Sequence, residues 1–160
     1  MKKIEKIMVC VDLSDYSLMT LDYGVALARG FMSQMIVFNV INARDIEAVR
    51  TASRYYPEKI DVDAYIKKAK DDRYARLHTM IKENFPDDLI RMQIVVNLGV
   101  PFEAILEGIK TEGADIVVIG NKGRGNVVGT LFGSNAEKVF RHSPVPVLSV
   151  RDRARFSRSR

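Results

Sequence analysis

The residues of this sequence best suited to chemistry lie between Ile119 and Asn135, where Gly120, Gly123, Gly125, Gly129 and Gly133 lead from an apolar run into Ser134. Glycine tolerates positive φ and lets backbone N–H groups come close to a ligand, while a helix start adds unpaired N–H donors and a partial positive charge. The stretch therefore reads as an anion cradle, with phosphate as its natural guest. It is not a P-loop, because no G-x-x-x-x-G-K-[ST] occurs and Lys122 precedes the second glycine. Nor is it a dinucleotide fingerprint. Gly123-x-Gly125-x-x-x-Gly129 has one residue too many between its last glycines, and no acidic partner follows at about 20 positions in a second βαβ unit.

A second chemically useful group is Asp12, which follows the apolar run Ile7 to Val11 and precedes Ser14 and Asp15. A carboxylate there can accept hydrogen bonds from sugar hydroxyls, or it can simply cap the next helix. Little else points to catalysis. His78 and His142 fall in helical or helix-end patterns far in sequence from the glycine stretch, and read as structural or exposed. No His/Cys/Asp spacing suggests a metal site or a nucleophile with its base. The single Cys10 excludes an intramolecular disulfide and reads as a small buried hydrophobe. No residue is evident for positioning an attacking water, so any hydrolysis of a bound phosphoanhydride is expected to be slow and incidental.

Five strand-like runs must position these groups. Lys6 to Val11, Met35 to Val40 and Asp115 to Ile119 are mostly apolar without alternation, as strands buried on both faces are, and Val145 to Val150 follows Pro144 as a last strand. Ile90 to Leu98 alternates apolar and polar residues like a half-exposed strand. Between them lie helical patterns. One runs from a cap at Ser14 or Asp15 through Leu18, Leu21, Val25, Leu27 and Ala28 to a stop at Gly30, and a long amphipathic one runs from Val62 to about Asn84. A third starts at Pro101 and ends at Gly113, and a short one runs from Ser134 to about His142. Asn42 to Lys59 has no consistent period and reads as an irregular or partly helical insertion, either a lid or a surface addition. Alternating β and α segments predict a parallel sheet with helices on both faces and right-handed crossovers. Ligands of such sheets bind beyond the carboxyl ends of the strands where the winding reverses. If the first and fourth strands are neighbours there, Asp12 and the glycine stretch face one crevice.

With 160 residues, 47% of them hydrophobic, the chain is the size of one domain, expected over 1–150. Of the formal net charge of +5, the last ten residues hold five arginines against Asp152, so the body is nearly neutral. Residues 151–160 read as a basic, disordered, solubilising tail, with contact to nucleic acid or another anionic surface as the rival reading. No run reaches the roughly 18 apolar residues of a membrane span, and the N-terminus lacks a signal-peptide core. Residence in the cytoplasm without membrane attachment is the expectation.

The spacing G-x2-G-x9-G-S at Gly120, Gly123, Gly133 and Ser134 resembles that of the ATP-binding branch of the universal stress protein family. The likeness extends from Lys6 to Val150, through Val11-Asp12-x-Ser14, Gly99-Val-Pro101 and Val145-Pro-Val-Leu148. It implies an open α/β fold, Rossmann-like, with a five-stranded parallel sheet in the order 3-2-1-4-5. It further implies a homodimer paired through the last strand, Val145 to Val150. By position, Asp12 would hold the nucleoside and the backbone at Val40 would read the adenine edge, with Val11 and Ile119 as apolar walls. Gly120 and Gly123 would approach the ribose and first phosphate, while Gly133, Ser134 and Asn135 would serve the distal phosphates. Arg124 and Lys122 could add charge or remain solvated. The implied ligand is ATP, or AMP or ADP, with Mg²⁺ or Mn²⁺ carried on the phosphates. Family resemblance thus favours a nucleotide-dependent regulator of a stress response. Two rivals stand beside it: a slow ATPase or self-phosphorylating enzyme with Ser134 or Thr130 as acceptor, and an interaction module whose ligand is secondary.

Overall fold

A computed structural model describes residues 3–121 and 133–152. Five parallel strands form one sheet in the order β3-β2-β1-β4-β5. These are β1 (Lys6–Cys10), β2 (Gln34–Asn42), β3 (Met92–Gly99), β4 (Ile116–Gly120) and β5 (Val147–Val150). The helices are α1 (Ser17–Phe31), α2 (Ala43–Tyr55), α3 (Val62–Asn84), α4 (Pro101–Glu112) and α5 (Ser134–His142), with a 3-10 turn at Pro86–Arg91. The expected fold class and strand order are both borne out.

Alternate residues of the strands supply two cores, because successive side chains leave a strand on opposite faces. Ile7, Val9 and Val11 join Met35 and Val37 against Leu21, Val25 and Ala28 of α1 and Leu77 and Ile81 of α3. Met8 and Cys10 join Ile36, Phe38, Val117 and Ile119 against Ile105 and Ile109 of α4 and Ala136 and Val139 of α5. Contact between the layers is close. A Cβ on Gly108 of α4 would come within 2.5 Å of Phe38 Cζ, and one on Gly24 of α1 within 2.5 Å of Val9 Cγ2.

Several boundaries differ from the sequence expectation. Asn42 to Lys59 is largely a regular helix: the Asn42 side chain accepts the Arg44 N–H, and α2 then buries only Ile46. With one core contact it needs no apolar stripe, which is why its period was silent. β3 begins at Met92, not Ile90, since Pro86 starts the 3-10 turn and leaves Ile90 exposed. Only the second half of α3 reaches the core, so Tyr74 is exposed and stacks on His78. Leu18 of α1 is also exposed, its place on the buried face being taken by Ser17 and Thr20.

Helix α1 passes through Gly30 and stops at Met32, whose φ of 56° is left-handed and whose N–H bonds back to the Ala28 and Arg29 carbonyls. This cap geometry favours glycine, and Met32 is 89% exposed, so its side chain contributes little packing. Met32→Gly should therefore stabilise the protein by about 0.5–1 kcal/mol. A urea midpoint that stayed level or fell would contradict this.

Candidate functional site

Strands β1 and β4 are direct neighbours, with Cys10 level with Ile119. The chain therefore leaves both at one height, as Val11-Asp12 from the first and Gly120-Asn121 from the second. This is the crevice that the topology calls for, at the point where the winding reverses. Val11 and Ile119 are both buried beneath it, but in opposite layers, Val11 toward α1 and α3 and Ile119 toward α4 and α5. They form its floor on two sides and do not face one another.

On the β1 side, Asp12 is half-buried. Its Oδ1 accepts the Ser14 N–H at 3.0 Å and the Ser17 hydroxyl at 3.2 Å. The expected cap at Ser14 or Asp15 is not made on the helix itself: the Ser14 hydroxyl accepts the Tyr16 N–H at 3.4 Å, one residue before α1, and Asp12 braces the turn that leads into it. The residue at the α1 N-cap position is Tyr16, which makes no side-chain capping bond. The intervening Leu13 has a φ of 62°, a left-handed conformation costly for a branched side chain, and this sharp turn sends the chain away from the sheet. Holding it costs free energy that the Asp12 hydrogen bonds offset.

The β4 side is pinned at both ends. The Asn121 N–H donates to the Val150 carbonyl at 2.9 Å, and the Gly133 N–H donates to the Asn121 carbonyl at 2.7 Å. Asn121 itself is buried. Gly133 is the N-cap of α5 with a φ of −68° and no side chain to cap it, so Ser134 and Asn135, both exposed, open the helix with its first-turn N–H groups. Glycine is not required there by strain, since a Cβ would approach only the Asn121 carbonyl oxygen at 3.4 Å. What it does is bring no capping side chain of its own to the helix start. Glu137 of the same turn is drawn along the helix by Arg141, 2.9 Å away. Gly123 and Arg124, with Lys122, Gly125, Gly129 and Thr130, lie outside the described residues.

On β2, even-numbered residues turn their backbone groups toward β1: the Gln34 N–H donates to the Glu5 carbonyl, and the Phe38 carbonyl accepts the Val11 N–H. Val40 is next in that series, one step past the end of β1, so its backbone meets the crevice. Three site residues escaped sequence reading. Asn39 is fully buried, donating from Nδ2 to the Val11 carbonyl at 2.7 Å and accepting at Oδ1 from Arg73 Nη1 at 3.1 Å. A lone amide inside Met-Ile-Val-Phe-Asn-Val-Ile was the available signal for it. Arg73 and Asn121 gave none. Arg73 also lines a cleft of about 220 Å³ between β2, α2 and α3, together with Ile41, Asp45, Ile46, Tyr65, Asp72 and Arg76.

Cys10 is buried beside the crevice, and desolvation pushes its thiol up to about 12, which leaves it a poor nucleophile. Among the described residues, no three His, Cys, Asp or Glu side chains converge to hold a metal ion. Nor is any helix among them long and apolar enough to cross a membrane.

Comparison with known proteins agrees with this geometry. Universal stress protein YxiE of Bacillus subtilis is 29% identical over 151 residues, covering 91% of this chain and 98% of the relative. The solved structure of MJ0577, a universal stress protein of Methanocaldococcus jannaschii, superposes with a TM-score of 0.74 at 24% identity, over 94% of this chain and 98% of that one. A universal stress protein solved in complex with cAMP superposes with a TM-score of 0.60 at 21% identity, over 93% and 98% of the two chains. The pattern of the Universal stress protein family matches residues 3–151, and the chain belongs to that family.

Proposed function

We propose that this chain is an adenine-nucleotide-binding universal stress protein that holds ATP in the β1/β4 crevice and acts as a nucleotide-dependent regulator. The observation that carries the reading is the adjacency of Cys10 and Ile119, which sets Asp12 and the glycine-capped start of α5 around one opening. The Val40 backbone would meet the base edge, and Asp12 the sugar. Gly120 and Gly123 would let the chain approach the ribose and first phosphate. Gly133, Ser134 and Asn135 would offer N–H and side-chain donors to the distal phosphates, and Arg124 would add positive charge. Mg²⁺ or Mn²⁺ would arrive on the phosphates with its own waters. A related protein holding cAMP supports an adenine nucleotide as the class of guest.

The site is read as a holder of nucleotide, its buried thiol offering no nucleophile. We also propose a cytoplasmic homodimer paired through β5, an edge strand in the sheet order on which Leu148 is exposed. Calorimetric titration with ATP and Mg²⁺ tests the central claim. Saturable heat is expected, and none at millimolar ATP would overturn it.

A further inference from the structure

Parallel pairing offers the Val11 carbonyl to the Val40 N–H, the next rung after Val11 N–H to Phe38 O. That carbonyl receives the Asn39 side-chain amide, 2.7 Å away. Asn39 is fully buried, so both ends of its amide need partners. Guanidinium is donor only, and Arg73 Nη1 at 3.1 Å therefore fixes Oδ1 toward α3 and Nδ2 toward β1. The order of groups is α3, Arg73, Asn39, the end of β1, Asp12.

We propose that Arg73 is a positioning residue for the base end of the crevice: by fixing the Asn39 amide it keeps the Val11 carbonyl engaged and holds the β1–β2 ladder open at Val40. This rests on the adenine-nucleotide reading, since the groups it presents at Val40 are those that would meet the base. Arg73 sits 34 residues from Asn39 in sequence and also lines the α2–α3 cleft, so one side chain touches both that cleft and the amide at the end of β1. Without the guanidinium, the amide loses the donor that orients it. Val40 N–H can then close onto the Val11 carbonyl as the next rung of the sheet.

The test compares Arg73→Met, which keeps the stem but no donor, with Arg73→Lys, which restores one. ATP affinity of the full chain should fall about tenfold in Arg73→Met, the loss expected for one hydrogen bond. The preference for ATP over GTP should narrow with it, and Arg73→Lys should recover part of both. A purely structural role would weaken both nucleotides alike, and an unchanged preference overturns the proposal. Amide exchange in the nucleotide-free protein gives a separate reading. Protection of the Val40 N–H should rise about tenfold in Arg73→Met as the ladder closes. Unchanged exchange there overturns the proposal whatever the nucleotide data, whereas absence of ATP binding by the wild type overturns the nucleotide reading itself.

Discussion

Gly133→Asp should weaken ATP binding by about 100-fold, or about 2.8 kcal/mol, while leaving the protein as stable as the wild type or slightly more so. The two effects separate because Gly133 has the extended φ and ψ of an ordinary N-cap, −68° and 145°, which any residue adopts. An aspartate there would accept the first-turn N–H groups of α5 and favour the helix by a few tenths of a kcal/mol over glycine. The same carboxylate would occupy the donors intended for phosphate and repel its charge. Gly133→Asn, which caps without charge, should lose less affinity, the difference between the two variants measuring repulsion alone. Calorimetry and thermal melts on one preparation read both quantities. Full ATP affinity in Gly133→Asp would show that the α5 start is not where phosphate sits, and a lower melting temperature would contradict the capping argument.

Asp88→Asn should cost about 2 kcal/mol, the worth of hydrogen bonds to a charged group, and lower the melting temperature by about 4–8 °C. Asp88 is only 2% exposed, in the turn before β3, and Arg29 at the end of α1 grips both its oxygens, with Nε donating to Oδ1 at 3.1 Å. Arg91 stands 3.7 Å away. The hydrogen bond from Arg29 holds the Asp88 carboxyl below its ordinary value, against the opposing effect of burial and with help from the charges of Arg29 and Arg91. Because the folded value is the depressed one, the contribution is full above the ordinary aspartate range near 3.9 and is lost as pH falls through the folded value. Urea midpoints of wild type and Asp88→Asn should therefore differ at pH 7 and converge in acid. A gap that stayed constant down to pH 2 would exclude ionisation of Asp88 as its source. Arg29→Met should be worse than Asp88→Asn at pH 7, because it leaves the buried carboxylate with the more distant Arg91 alone.

Much of this fold was legible because its signals are local. Mostly apolar, non-alternating runs marked β1, β2 and β4, and the Pro101 start and Gly113 stop of α4 fell where expected. Helix α2 was not legible, since one capping side chain and one buried isoleucine make no period. Met32 was missed because the turn after α1 is forced into a left-handed residue where glycine two positions earlier looked the natural stop. Of the candidate site, the positions of Asp12 and Gly133 could be read from their places beside a strand end and a helix start. Their engagement with Ser14, Ser17 and Asn121 could not.

By itself, then, the sequence determined the alternation of strands and helices, the placing of a carboxylate and a glycine stretch at strand ends, and the likeness of family. These follow from periodicity, turn chemistry and spacing, all written within a few tens of residues. Tertiary structure alone decided that Cys10 and Ile119 stand level. It also decided that α3 sends Arg73 to Asn39 and that Asn39 takes the carbonyl of Val11. Those pairings join residues far apart in the chain, and burial leaves each polar group only the partner that packing brings to it.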